Sequence, residues 1–174
     1  SAASDVYKRQ VKNKCEKLGG KIFIYKLDAK DSKHCSKIAK QFMKSANGID
    51  YVIANAGIGG EDDLFSGKSD AINNIIKTNL IGVVNILIPF IPTMKKQKNG
   101  KLICISSVAA FIPTPYHGGY TGSKIAIKMI FDSWRSSLSK YNIRTITICP
   151  GFIDTPMIKG LDRRFPVKSA DEAS

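Results

Sequence analysis

The sequence predicts an α/β fold in which a parallel sheet is doubly wound by helices. Three observations carry this prediction. Short apolar runs alternate with longer stretches whose apolar residues recur at helical spacing, so strands are joined through crossover helices. The run Tyr51-Val52-Ile53-Ala54 is apolar at consecutive positions, as suits a parallel strand covered on both faces. Asp28, Asn55, Ser107 and Pro150 punctuate four equivalent strand ends, the edge at which open sheets of this type bind ligands. With 174 residues and 43% hydrophobic content, the chain is one domain with a real core.

The elements follow in order. Ser1 to Gln10 does not resemble the rest of the chain and reads as a leader or a mistranslated junction, outside the fold. Residues 11–174 form the domain. Val11 to Leu18 is a short helix stopped by Gly19-Gly20. Ile22-Phe23-Ile24-Tyr25 is a strand running into Leu27-Asp28. Asp31 or Ser32 caps the next helix, whose stripe is Ile38, Ala39, Phe42, Met43 and Ala46, and Asn47-Gly48 ends it. After the Tyr51–Ala54 strand come Asn55-Ala56-Gly57 and a polar loop, Glu61 to Gly67. Two helical segments come next, Ser69 to Lys77 and Asn79 to Lys96, the second bent or tightened by Pro89 and Pro92. Leu102-Ile103-Cys104-Ile105 is a strand ending at Ser106-Ser107, and Ala109 to Gly119 is a loop. A helix then runs from Tyr120 to about Lys140 on the stripe Ala126, Ile127, Ile130, Phe131, Trp134 and Leu138. Ile143 to Cys149 is the last clear strand, ending at Pro150-Gly151, and Phe152 to Ser174 is loop and short helix.

Composition narrows the function. The formal net charge of +13 raises nucleic acid as a partner. The lysines are scattered, though, and no helix-turn-helix, zinc knuckle or aromatic platform accompanies them, so they read as solvated helix faces. Cys15, Cys35, Cys104 and Cys149 form no Cys-x-x-Cys pair and read as reduced thiols of a cytoplasmic protein. His34 and His117 are too isolated for a metal site. The most apolar stretch, Ile81 to Ile91, is too short to span a bilayer and holds Asn85 and Pro89.

The chemistry centres on Tyr120-Thr121-Gly122-Ser123-Lys124. A Tyr and a Lys four positions apart share one helix face. A phenol alone titrates near pKa ~10, and a neighbouring ammonium favours its phenolate, so the pair can exchange protons near neutral pH. Alone, Tyr-x-x-x-Lys is a weak signal. Its setting strengthens it: Ser107 lies thirteen positions before Tyr120, and Asn79 opens a helix after the second strand.

Asn55-Ala56-Gly57, Asn79, Ser107, Tyr120, Lys124 and Pro150-Gly151 occur in an order and spacing that resemble the short-chain dehydrogenase/reductase family. The resemblance covers nearly all of residues 11–174. It implies a Rossmann-like fold and an oxidoreductase that uses NAD or NADP to move a hydride between nicotinamide and a carbonyl or alcohol substrate. It makes Tyr120 the acid/base and sets Lys124 on the nicotinamide ribose. Ser107 falls on the substrate oxygen, with Ser106 as the other candidate hydroxyl, and Asn79 holds a water that relays protons from Lys124. Asp28 matches an adenine contact, with an ordinary turn former as the alternative. Asn55, Ala56 and Gly57 match an Asn-Asn-Ala-Gly motif, whose first Asn is replaced here by Ala54. Pro150, Gly151, Ile153 and Thr155 match the segment that meets the nicotinamide carboxamide.

The same resemblance leaves gaps. The family's opening strand, its Gly-x-x-x-Gly-x-Gly turn and its second strand have no counterpart here, nor has its last strand. The sheet is therefore expected to be incomplete, with the Tyr51–Ala54 strand as a bare apolar edge. The chain by itself is expected to bind NAD(P) weakly and to be sticky. Two other readings stay open: a non-catalytic Rossmann-like binding module, and a basic nucleic-acid binder. Val108, Phe111, Ile112, Phe152 and Met157 suggest a partly apolar substrate pocket, and helices such as Asn79–Lys96 and Tyr120–Lys140 suggest a homodimer or homotetramer.

Overall fold

A computed structural model describes residues 2–155, 166–169 and 172. Three strands form a parallel sheet in the order β1 (Tyr51–Ala54), β2 (Gly100–Ile105) and β3 (Ile143–Ile148). The register sets Val52 beside Leu102 and Leu102 beside Thr145, so one face carries Val52, Ala54, Leu102, Cys104, Ile143 and Thr145. Helices pack on that face. One continuous helical rod crosses from β1 to β2: α3 (Asp70–Ile76), a π-turn (Lys77–Ile81), α4 (Gly82–Leu87), a 3-10 turn (Ile88–Phe90) and α5 (Ile91–Gln97). The other crossover is α6 (Gly118–Ser139), which leads from β2 to β3. Val83, Leu87 and Met94 from the rod meet Ile127 and Phe131 from α6 over the sheet. Burying each such side chain contributes about 1.5–3 kcal/mol.

Local chemistry explains the ends. Asp31 caps α2 (Ser32–Ser45), its side chain accepting from the His34 N–H at 2.9 Å. Pro89 and Pro92 lie at the starts of the 3-10 turn and α5, where their missing N–H groups cost least. Lys98 closes α5 in the left-handed region with φ 53°.

Five expectations are corrected. Ile22–Tyr25 forms no strand: the segment pairs with no strand among the described residues, and Phe23 instead meets Phe42 of α2 edge-on. Strand-like propensity does not make a strand without a neighbour to satisfy its backbone. The first helix, α1 (Ala2–Lys17), is longer than the predicted Val11–Leu18. β1 is covered on one face only, since Tyr51 and Ile53 are exposed while Val52 and Ala54 are buried. Asn79 does not open a helix; it sits fully buried inside the π-turn of the rod. Beyond Pro150, β4 (Phe152–Ile153) pairs in parallel with β5 (Val167–Lys168), where only loop and helix were expected.

The rod also revises the apolar stretch. As a single helix, Asp70–Gln97 is long and apolar enough to cross a membrane, with mean hydropathy 1.7. Here it lies across the sheet with Ile75, Val83, Leu87 and Met94 buried and Ile81 and Ile88 exposed.

Candidate active site

The site lies at the carboxyl ends of β1 and β2, where the chain leaves the sheet. Beyond β1 the backbone passes through Asn55, Ala56 and Gly57. Asn79 secures the residue after Gly57: its Oδ1 accepts from the Ile58 N–H at 2.8 Å, and its Nδ2 donates to the Ile58 carbonyl at 2.9 Å. The same amide donates to Ser123 Oγ at 3.2 Å, and Ser123 Oγ donates to the Tyr120 carbonyl at 2.7 Å. A chain of hydrogen bonds thus runs from the β1 loop through the π-turn to α6. Single π-turns inside helices are rare and are frequent at functional sites.

Lys124 enters from α6. It is buried, and its Nζ donates to the Ile105 carbonyl at the end of β2 at 2.8 Å. The ammonium also lies 5.6 Å from the centroid of the Tyr120 ring. Burial pushes its pKa below the ordinary lysine value, while the thiols of Cys104 and Cys149 oppose the shift. Cys104, buried on the sheet beneath, is itself pushed up to about 11, chiefly by burial. Gly57 fits between these groups: a Cβ there would lie 3.5 Å from both Asn79 Oδ1 and Lys124 Nζ.

Ser106 and Ser107 part company. Ser106 is buried, and its hydroxyl donates to the Lys124 carbonyl at 2.9 Å. Ser107 Oγ accepts from the Ala109 N–H at 3.1 Å and keeps its own hydrogen to donate. The next residue ties this turn to the β3 end, since the Val108 N–H donates to the Pro150 carbonyl at 3.0 Å. Asn79 is therefore linked to Tyr120 through Ser123, Lys124 lies beside the Tyr120 ring, Gly57 faces both Asn79 and Lys124, and Ser107 is linked to Pro150 through the adjacent Val108 N–H.

Other expected residues lie outside that network. Asn55 and Ala56 are exposed at the strand end. The Asp28 carboxylate accepts from the Lys30 N–H at 2.9 Å in a turn before α2. That turn rests on the rod, where Asn85 Nδ2 donates to the Ala29 carbonyl at 2.9 Å. Gly151 is open, Ile153 belongs to β4, and Thr155 is half-buried. Phe111 and Ile112 are exposed, whereas Met157 lies outside the described residues. Sequence reasoning missed Ser123. It lies three positions after Tyr120, the spacing at which a Ser hydroxyl reaches back to a helical carbonyl.

Comparison with known proteins identifies the family. A family model described as short chain dehydrogenase matches residues 2–164. The 3-oxoacyl-[acyl-carrier-protein] reductase FabG of Thermotoga maritima is 30% identical over 165 residues, covering 93% of this chain and 67% of that protein. The 17-beta-hydroxysteroid dehydrogenase 13 of Rattus norvegicus is 28% identical over 165 residues, covering 92% of this chain and 55% of that one. Among solved structures, a 7 alpha-hydroxysteroid dehydrogenase complexed with NADH and 7-oxo glycochenodeoxycholic acid superposes with TM-score 0.81 at 25% identity, over 88% of this chain and 60% of that one. An alcohol dehydrogenase from the archaeon Thermococcus sibiricus, complexed with 5-hydroxy-NADP, gives 0.79 at 20% identity, over 95% and 80%. The chain thus spans between about half and two thirds of the length of the curated relatives named. On the family match, the chain belongs to the short-chain dehydrogenase family.

Proposed function

We propose that this chain carries the catalytic part of an NAD- or NADP-dependent oxidoreductase acting on a carbonyl or alcohol, with Tyr120 as its acid/base. One observation carries the reading. The Lys124 ammonium is kept buried beside the Tyr120 ring although burial disfavours its charge. An effective cost of several kcal/mol attaches to an ion taken out of water, and such groups gather at functional sites.

The residues present fit the nicotinamide end of a dinucleotide. Lys124 Nζ has three N–H donors and Ile105 takes one, which leaves two for the hydroxyls of a ribose. Asn55 and Ala56 are exposed and Gly57 is half-buried at the adjacent strand end, and Pro150 and Gly151 border the β3 end. Both NADH and an NADP derivative occur in the structural relatives named above. A bound nicotinamide supplies or accepts the hydride.

The chain's own groups handle the proton. In the reductive direction the Tyr120 phenol gives its hydrogen to the carbonyl oxygen; in the oxidative direction it takes one from the alcohol. The Ser107 hydroxyl, with its hydrogen uncommitted, donates to the same oxygen and steadies its growing charge. Lys124 holds the ribose and places a positive charge near the phenol. The Asn79 side chain is spent on Ile58 and Ser123, so it braces the site; a proton-relay water at Asn79 remains a proposal. Asp28, Ile153 and Thr155 remain proposed cofactor contacts.

Exposed Phe111 and Ile112 support a partly apolar substrate, a small ketone or alcohol or a lipid-like carbonyl. Exposed Ile81 and Ile88 on the rod, with Ile125 and Met129 on α6, support a homodimer or homotetramer. Four free cysteines support a reducing, cytoplasmic setting. The test is Tyr120→Phe in the complete protein. Turnover is expected to fall by roughly 10²-fold or more, with cofactor affinity within about threefold. Wild-type turnover would refute the assignment.

A further inference from the structure

The start of α6 is assembled from two distant parts of the chain. A helix begins with N–H groups that its own backbone cannot satisfy. The residue at the N-cap of α6, His117, makes no capping bond through its side chain. Gly118 and Gly119 come next, and glycine is a weak helix former. The missing acceptor comes from Asp62. Its Oδ2 accepts from the Gly118 N–H at 2.5 Å and its Oδ1 from the Gly119 N–H at 2.9 Å. The carboxylate is bidentate and directed at the positive end of the helix. Asp62 is only 5% exposed.

Backbone contacts reinforce this junction. The Asp62 N–H donates to the Tyr116 carbonyl at 2.8 Å, and His117 Nδ1 bonds the Gly60 carbonyl at 2.9 Å. A Cβ at Gly118 or Gly119 would stand 3.0 Å from an Asp62 carboxylate oxygen, so the two glycines let the acid approach. The loop is held at its other end as well, where Asn79 grips both the N–H and the carbonyl of Ile58. Ile58 to Asp62 therefore forms a short strut from Asn79 to the first turn of α6. Tyr120 is the next residue after that clamp.

We infer that Asp62 is a positioning residue for Tyr120: by clamping Gly118 and Gly119, it fixes where α6 begins and hence where the phenol stands relative to Asn79 and Lys124. This rests on the reading of Tyr120 as acid/base. A displacement of about 1 Å at a reacting group can cost roughly 10²-fold in rate.

The test uses Asp62→Ala and Asp62→Asn in the complete protein, with Tyr120→Phe alongside. Asn keeps the shape but offers one acceptor oxygen where two N–H groups point. At saturating substrate and cofactor, kcat is expected to fall about 30-fold for Ala and about 10-fold for Asn, within the range that misplacement produces. KM for the substrate and Kd for the cofactor should stay within about threefold, and the Gly118 and Gly119 amides should exchange faster with solvent. A purely structural cap would lower the melting temperature without this split between kcat and KM. If Asp62→Ala does not fold, the isosteric Asn variant decides. Wild-type kcat in the Asp62 variants, with Tyr120→Phe inactive, would overturn the role of Asp62 alone. Wild-type turnover in Tyr120→Phe would overturn both readings.

Discussion

Lys124 sets the terms at the residue scale, because the charge proposed to serve catalysis is one that folding disfavours. Burial holds its pKa below the usual 10.5, so the folded state binds fewer protons there than the unfolded chain. Stability from this site therefore rises with pH from the folded pKa up to the unfolded one. Lys124→Met has no such dependence. Urea titrations at pH 8 and pH 10 should show the wild-type chain gaining stability relative to Lys124→Met on the alkaline side; an unchanged difference would place the ammonium in water. The thiols give a second check. Cys104, pushed up to about 11 by burial, and Cys35, raised by burial and then by Asp31, should resist iodoacetamide in the folded protein at pH 8. Cys15 and Cys149 are less buried and should react first, with mass spectrometry reading the difference. Tyr120, Lys124, Ser107 and Asn79 are proposed from an order and spacing that resemble the family, a signal that survives in one dimension. The partners of Ser106 and Asp62 could not be read that way. Ser106 and Ser107 differ only in which way each faces after β2, and Asp62 meets α6 across 56 positions of chain. The one sequence hint of Asp62 was negative: a Gly-Gly helix start with no Ser, Thr, Asp or Asn immediately before it.

Elements were legible where their partners lie among the described residues. β1, β2, β3 and α6 appeared where apolar runs and stripes placed them, since each meets the others over the shared core. Ile22–Tyr25 has comparable strand composition yet pairs with no described strand. Asn79 was misread as a helix start because a π-turn leaves no mark that separates it from a cap. The packing of the rod on β2 makes a sharper prediction. Gly100 opens β2 directly beneath Met94, and a Cβ there would come within 2.5 Å of the Met94 sulfur and 2.6 Å of its Cγ. Methionine is flexible, but Met94 is fully buried and has little room to yield. Gly100→Ala should cost about 1–3 kcal/mol, the usual range for overpacking, by shifting α5 away from the sheet. Gly100→Ala combined with Met94→Ala should not recover wild-type stability, since the cavity term replaces the clash. Urea midpoints of Gly100→Ala, Met94→Ala and the double variant would decide this, and a neutral Gly100→Ala would mean that α5 moves freely on β2.

At the scale of the whole molecule, the one-sided sheet dominates. The register places Ile53, Ile103 and Ile146 side by side and Ile105 beside Ile148, all on the face opposite the rod and α6. Ile53 is 58% exposed and Ile148 44%. Beside them, β1 is an edge strand whose outer backbone groups pair with no other strand among the described residues. Apolar patches next to an open strand edge drive association, because contact removes apolar surface from water while the edge supplies backbone hydrogen bonds. This 174-residue chain should therefore self-associate with concentration in sedimentation velocity. Ile53→Lys together with Ile148→Lys should shift it toward monomer. Stability should stay within about 1 kcal/mol, because strand propensity spans only that range and these side chains have little burial to lose. The helices present a rival surface, Ile125 and Met129 on α6, and Ile125→Lys separates the two. If Ile125→Lys disperses the chain and the strand variants do not, association runs through the helices. If the strand variants instead lose several kcal/mol, as charged core positions do, the sheet face is covered in solution by another part of the protein or a second copy.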